Sequence, residues 1–217
     1  MRFATWEPIY QSIMQDFGFS LERDEEAAEL LAAILREREP MLPTAKEIVA
    51  GRKVVVCGNA PKLNEDLEEL QDRDVIFLAA DGATAVLLEH DIVPDIVVTD
   101  LDGPFPAILK ANRMGSIVVV HAHGDNLDAL IRYVPELQRV IGTVQCRPIP
   151  GLYNFGGFTD GDRSVFLARE LGAASMELMG FDFEDESVTP RKKRKLEWAR
   201  KLIELALGGE SQQSLPG

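Results

Sequence analysis

Apolar and polar positions along the chain fall into two textures. Over the first fifty residues the spacing is helical. In "DEEAAELLAAILRERE" (24–39), Leu30, Leu31, Ile34 and Leu35 share one side, and acidic residues occupy the first turn, where the helix dipole favours them. Pro40 and Pro43 then interrupt the pattern. From Lys53 onward, short apolar runs recur: "KVVVC" (53–57), "VIFLAA" (75–80), "DIVVT" (95–99), "SIVVVH" (116–121), "RVIGTVQ" (139–145) and "SMELMGF" (175–181). Helical patterns separate several of them, such as "LNEDLEELQ", "GATAVLLEHD", "NLDALIRYVPEL" and "GDRSVFLARELG". Strands that are apolar throughout and alternate with helices predict a mostly parallel sheet covered on both faces. The expected fold is a doubly wound α/β domain over 51–207, closed by a last helix near 191–207. It is preceded by a helical N-terminal extension (1–50) and followed by a flexible tail (208–217).

In such a fold, ligands lie beyond the carboxyl ends of the strands, at a switch in strand order. Most of the runs lead directly into acidic segments: "DGAT", "DLDG", "AHGDN" and "DFED", with "GNAPKL" after the first. Asp81, Asp100, Asp102, Asp125 and Asp182 are therefore expected along one edge. Asp100 and Asp102 carry the sharpest signal, because like charges that close disfavour each other unless a cation lies between them. If the strand continued, their side chains would point the same way, roughly 6 to 7 Å apart. A hard cation such as Mg²⁺ takes oxygen ligands of this kind. Asp125, from the next strand end, would complete a metal set of Asp100, Asp102 and Asp125.

Glycine marks further candidates. Gly58 in "CGNAPKL" allows close backbone approach before a helix whose amides could face a phosphate. In "NFGGFTDGDRSVFLA" (154–168), Gly156 and Gly157 form a turn, and Thr159, Asp160 and Asp162 lead into a helix. Arg163 stands in that helix's first turn, against the dipole; either a phosphate or a neighbouring aspartate would account for it. His121 and His123 have no cysteine or third histidine close by, so they read as hydrogen-bonding or substrate-orienting groups rather than transition-metal ligands. There is no G-x-S-x-G elbow, no G-x-x-x-x-G-K-[ST] loop and no G-x-G-x-x-G after a strand, which argues against a serine hydrolase, a Walker-type ATPase and a dinucleotide oxidoreductase.

A net charge of −13 argues against a nucleic-acid partner. The basic stretch "RKKRKLEWARK" (191–201) is the local exception, either a solvated helix face or a source of cations for a polyphosphate. No apolar run reaches the ~18 residues of a membrane span, and the N-terminus lacks the apolar block of a signal peptide. Cys57 and Cys146, in or beside strand-like runs, fit the buried thiols of a cytoplasmic protein better than a disulfide.

Four motifs in order, "ADGAT", "VPDIVVTDLDG", "HAHGDN" and "NFGGFTDGDRSVFLARELGA", resemble the archaeal 6-hydroxymethyl-7,8-dihydropterin pyrophosphokinases, relatives in fold of thiamine pyrophosphokinase. The resemblance covers roughly residues 50–205. It implies Mg²⁺-dependent transfer of a diphosphoryl group from ATP to the pterin hydroxymethyl group, leaving AMP, in tetrahydromethanopterin or folate-type cofactor synthesis. Asp100, Asp102 and Asp125 are similar to the catalytic, metal-holding set. Gly58, Asn59, Asp81, Gly82, Asn126, Gly156, Gly157, Asp160, Asp162 and Arg163 fall in the segments implied to border ATP or the pterin. The partners implied are these small molecules, with a homo-oligomer possible through the N-terminal helices. Three rival readings stay open: a haloacid-dehalogenase-type phosphatase using "DLDG", a D-x-D nucleotide-sugar transferase, and a non-catalytic nucleotide-binding protein.

Overall fold

The computed structural model describes residues 1–72 and 74–208. Three helices come first, α1 (Phe3–Phe17), α2 (Leu21–Leu35) and α3 (Leu42–Val49). Six strands follow: β1 (Lys53–Cys57), β2 (Ile76–Ala80), β3 (Ile96–Thr99), β4 (Ile117–Ala122), β5 (Val140–Val144) and β6 (Ser175–Met179). Between and after them lie α4 (Leu63–Glu69), α5 (Ala83–Glu89), α6 (Phe105–Arg113), α7 (Leu127–Tyr133), α8 (Asp160–Glu170) and α9 (Pro190–Leu207).

The strands pair in parallel in the order β5-β4-β3-β2-β1-β6. All residues of β2, β3, β4 and β5 are buried, as a sheet covered on both faces requires. From β1 to β5 the chain steps across one strand at a time; it reverses only to lay β6 beside β1. Right-handed crossovers then put α4 to α7 on one face and α8 on the other, where it packs on β1, β2 and β3. This places the N-terminus of α8 over the carboxyl ends of the central strands.

The N-terminal helices share the core of the sheet. Trp6 is fully buried and donates its indole N–H to the Gln145 carbonyl at 2.8 Å. Leu31 and Leu35 of α2 fill the space over Gly142 of β5, where an added Cβ would meet them at 3.2 and 2.8 Å. Burying Leu31 alone contributes roughly 1.5–3 kcal/mol.

Several boundaries differ from expectation for local reasons. Pro43 does not break a helix but starts α3, in the first turn, where a missing N–H costs nothing. The 175–181 run ends at Met179 because Gly180 turns with φ 67°. The helix expected over 126–137 stops at Tyr133 and tightens into a 3-10 turn at Val134–Glu136, which contains Pro135. Residues 209–217 of the expected tail lie outside the described residues. Among the described residues, no helix is long and apolar enough to cross a membrane.

Candidate active site

The site begins where β2 and β3 end side by side. Asp81 and Leu101 turn the chain there with φ 41° and 68°, a left-handed conformation that side-chain-bearing residues seldom adopt. Hydrogen bonds hold both turns. Asp81 Oδ1 accepts from the Thr99 hydroxyl at 2.5 Å, and the Thr99 oxygen accepts the Leu101 amide at 2.8 Å. The amides of Gly82 and Gly103 also face the Asp81 carboxylate and partly offset the effect of its burial. Gly103 has no alternative, since a Cβ would stand 1.7 Å from Asp81 Oδ2.

The turn at Leu101 changes the geometry expected for "DLDG". The strand stops at Thr99, so Asp100 and Asp102 do not project from a continuing strand. They bend around one turn, with the Asp102 amide donating to Asp100 Oδ1 at 3.3 Å. A further carboxylate arrives from α8, whose first residue, Asp160, is favoured there by the helix dipole. Ligand oxygens of Asp81, Asp100 and Asp160 lie within 4.8 Å of one another.

The electrostatics of this trio favour a cation. Burial, then the Asp100 charge, push Asp160 well above the ordinary carboxylate range, and burial raises Asp81. Burial and the Asp100 charge push Asp102 up to about 6. Asp100 feels burial too, but a hydrogen bond from His123 and the nearby Arg163 charge outweigh it and hold it below the usual range. His123 Nδ1 accepts the Asp125 amide at 3.3 Å, so the ring carries its proton at Nε2, 3.4 Å from Asp100 Oδ2. Carboxylates crowded and raised in this way are relieved by a dication. An all-oxygen donor set suits a hard one.

The other expected residues take varied places. Asp125 is exposed and stands outside the trio. Asn126 is a strut: its Nδ2 donates to the carbonyls of Asp100 and His121 at 2.7 and 2.8 Å, while its Oδ1 accepts the His123 amide at 3.1 Å. Asp162 is fully buried and caps α8, accepting from the amide and hydroxyl of Thr159 at 3.0 and 2.6 Å and from the Phe158 amide. Of the two readings of Arg163, the structure shows the ion pair, with Nη1 3.1 Å from Asp160 Oδ1. Gly156 turns beside it with φ 90°, and Gly157, with φ 96°, lies against the Arg163 backbone, where a Cβ would come within 2.7 Å.

The switch in strand order, between β1 and β6, is closed by backbone. A Cβ on Gly58 would meet the Gly180 carbonyl at 2.6 Å. Next to it, the Asn59 side chain lies on Gly82, where a Cβ would be 2.3 Å from Nδ2. The carboxylates therefore gather over β2 and β3 instead. Asp182, after β6, is exposed and accepts the Glu184 amide within its own loop at 3.0 Å. A cavity of about 690 Å³ between α2, residues 39–41 and the edge strand β5 touches none of the trio.

Sequence reasoning passed over one contributor. Asp24 of α2 is buried and accepts from Tyr10 Oη (2.6 Å), Gln145 Nε2 (2.7 Å) and the Gly124 amide (2.8 Å), while Arg23 Nε donates to the Gly124 carbonyl at 3.1 Å. The N-terminal helices thereby clamp the loop that carries His123. An acidic residue at a helix start hides this role, because the dipole already accounts for it. In the basic stretch already singled out, the Lys195 ammonium of α9 lies 5.9 Å from the centre of the Phe158 ring, and its charge acts on Asp102. One turn earlier, Arg191 covers the rings of Phe17 and Phe19 at 5.5 and 5.8 Å. One face of the basic segment thus turns toward the site.

Fold and site together define a doubly wound α/β protein whose carboxylate-lined edge suits a divalent cation. The family model described as 6-hydroxymethylpterin diphosphokinase, MptE-like, matches residues 25–187, and the chain belongs to that family. It is 46% identical over 221 residues to the 6-hydroxymethyl-7,8-dihydropterin pyrophosphokinase of Methanothermobacter thermautotrophicus, covering 94% of each chain. The proteins of the same name from Pyrococcus furiosus and Methanocaldococcus jannaschii are 44% and 39% identical, with 94% of this chain covered in both cases. Among solved structures, the MAf glycosyltransferase of Magnetospirillum magneticum AMB-1 superposes with a TM-score of 0.52 over 78% of this chain and 34% of that one. At 16% identity that likeness is one of fold alone.

Proposed function

We propose that this chain is a Mg²⁺-dependent 6-hydroxymethyl-7,8-dihydropterin diphosphokinase. The observation that carries the reading is the convergence of Asp81, Asp100 and Asp160 in a chain whose relatives bear that name along nearly its whole length. The pterin hydroxyl oxygen attacks the β-phosphorus of ATP. The bond from that phosphorus to the oxygen bridging to the α-phosphate breaks, and its electron pair leaves with AMP. Such transfers depend mainly on positioning and charge neutralisation. Mg²⁺ held by Asp81, Asp100 and Asp160 would supply that neutralisation at the polyphosphate oxygens.

The chain's own residues have separable tasks. His123 orients Asp100, and Arg163 orients Asp160. Lys195 and Arg191 bring positive charge to the approach from α9, which suits an anionic nucleotide in a protein of net charge −13. Asp102, beside Asp100 and pushed up to about 6, is better matched to accept the hydroxyl proton near neutral pH than Asp125, which stands apart. The name shared by the relatives supports the diphosphokinase reading rather than the phosphatase alternative.

The test is AMP formation by the purified protein with ATP, Mg²⁺ and the pterin, compared with Asp100→Asn and Asp160→Asn. AMP should appear only when the pterin is present, and each substitution should lower its rate at least a thousandfold without unfolding the chain. AMP at the wild-type rate from Asp160→Asn would remove the trio from the reaction.

A further inference from the structure

His121 and Arg163 line the same small pocket, and each carries a buried polar atom without a hydrogen-bond partner, Nε2 and Nε. Val98, Val119, Thr143 and Phe155 supply other walls. The hydrogen bonds around His121 bear on what each atom offers. When Thr143 gives its single hydroxyl hydrogen to the Val120 carbonyl at 3.1 Å, its oxygen accepts from His121 Nδ1, also at 3.1 Å. In that arrangement the imidazole carries its proton at Nδ1, and Nε2 is left as the acceptor. Burial and the Arg163 charge keep the ring neutral. Arg163, with Nη1 on Asp160, is left with its Nε–H as an unused donor. Unpaired groups this deep are rare and costly, and a paired set of them marks a place for something that completes both.

We propose that this pocket receives the polar edge of the acceptor substrate's heterocycle, a lactam-type pair whose ring N–H donates to His121 Nε2 and whose carbonyl accepts from Arg163 Nε. This rests on the function proposed above and adds the part of the substrate that is read. The void is about 10 Å³, close to the space of one water, so the pocket must widen for the edge of a ring to enter. The body of the ring rests at the mouth against Phe155, whose own ring stacks on Tyr153 with centroids 5.7 Å apart. Arg163 joins this anchor to the trio through Asp160, so a ring held here keeps its substituents near the metal-binding edge. A site built on one donor and one acceptor rejects ligands that lack either, because its buried groups are then left unpaired.

The experiment measures binding by calorimetry, without turnover. The probes are 6-hydroxymethyl-7,8-dihydropterin, its N3-methyl analogue and α,β-methylene ATP with Mg²⁺. His121→Phe should weaken the pterin at least tenfold and leave the nucleotide within twofold. The N3-methyl analogue should bind the wild type at least tenfold more weakly than the parent pterin, and the two should bind His121→Phe alike. Thr143→Val, which frees the imidazole to change tautomer, should also weaken the pterin, whereas Thr143→Ser should bind as the wild type does. An unchanged pterin Kd in His121→Phe would overturn the assignment, as would a loss that falls on the nucleotide instead. Because binding is the readout, a wild type that reads the pterin through His121 yet makes no AMP would refute the proposed reaction and leave this pocket standing.

Discussion

Replacing Asp24 by Ala tests whether the N-terminal helices belong to the catalytic machinery. The side chain is 3% exposed and accepts three hydrogen bonds, from α1, from the segment after β5 and from the loop after β4. Hydrogen bonds to a charged acceptor contribute about 1.5–3 kcal/mol each. Their simple sum is too large, because Tyr10 and Gln145 can turn toward water that enters the space left. Leaving buried donors unpaired costs about 1–3 kcal/mol each, so a loss of about 3–5 kcal/mol is expected here. Set against the ~5–15 kcal/mol of a whole domain, it is severe. Urea unfolding at pH 7 should show a lower midpoint with an unchanged slope. Asp24→Asn, which keeps the shape, should lose less, about 1–2 kcal/mol. Because the Gly124 amide hangs on Asp24, the Asp24→Ala variant should also turn over more slowly wherever it remains folded. A loss under about 1 kcal/mol with full turnover would show that α1 and α2 merely lean on the sheet.

Three further outcomes follow from the same geometry. Asp102, raised to about 6 from an ordinary ~3.9, binds its proton more tightly folded than unfolded, so metal-free protein should lose stability as the pH rises from 4 through 6. Asp102→Asn should remove that part of the slope and Mg²⁺ should flatten it; identical pH profiles for the two proteins would contradict the crowding. Lys195→Ala should raise the KM for ATP about fivefold, the equivalent of ~1 kcal/mol for a partly exposed charge, with kcat within twofold and a smaller effect at high salt. An unchanged KM would return the segment to the solvent. Burial pushes the Cys57 and Cys146 thiols up to about 12 and 11, so neither should react with a thiol reagent at pH 8 until the chain unfolds; rapid labelling of either would contradict their placement.

The sheet could be read from the chain because a parallel strand covered on both faces needs apolar residues at every position, and "KVVVC" or "SIVVVH" has no other use. Helix α6 was harder to see: "FPAILKANR" buries Asn112 and mixes polar with apolar positions. The acidic character of the edge was legible for a similar reason, since Asp81, Asp100 and Asp182 directly follow apolar runs. Which aspartates meet was not. That depends on the left-handed turn at Leu101, which swings Asp102 off the strand line, and on α8 returning over the opposite face to deliver Asp160. A pattern of polar and apolar residues carries the period of an element but not the sign of φ at its end. Nor does it show that Gly58 and Gly180 press together and close the switch point, leaving β2 and β3 to form the site. The Asp24 clamp joins segments about a hundred residues apart, a distance over which local patterns carry no information.

The most direct measurement follows the reaction by ³¹P NMR in a single tube of protein, ATP, Mg²⁺ and 6-hydroxymethyl-7,8-dihydropterin. The account predicts that the AMP resonance grows in step with two coupled resonances of a new diphosphate monoester, showing that the β- and γ-phosphates of ATP moved together to the pterin oxygen. Growth of ADP or inorganic phosphate in place of that pair would contradict diphosphoryl transfer.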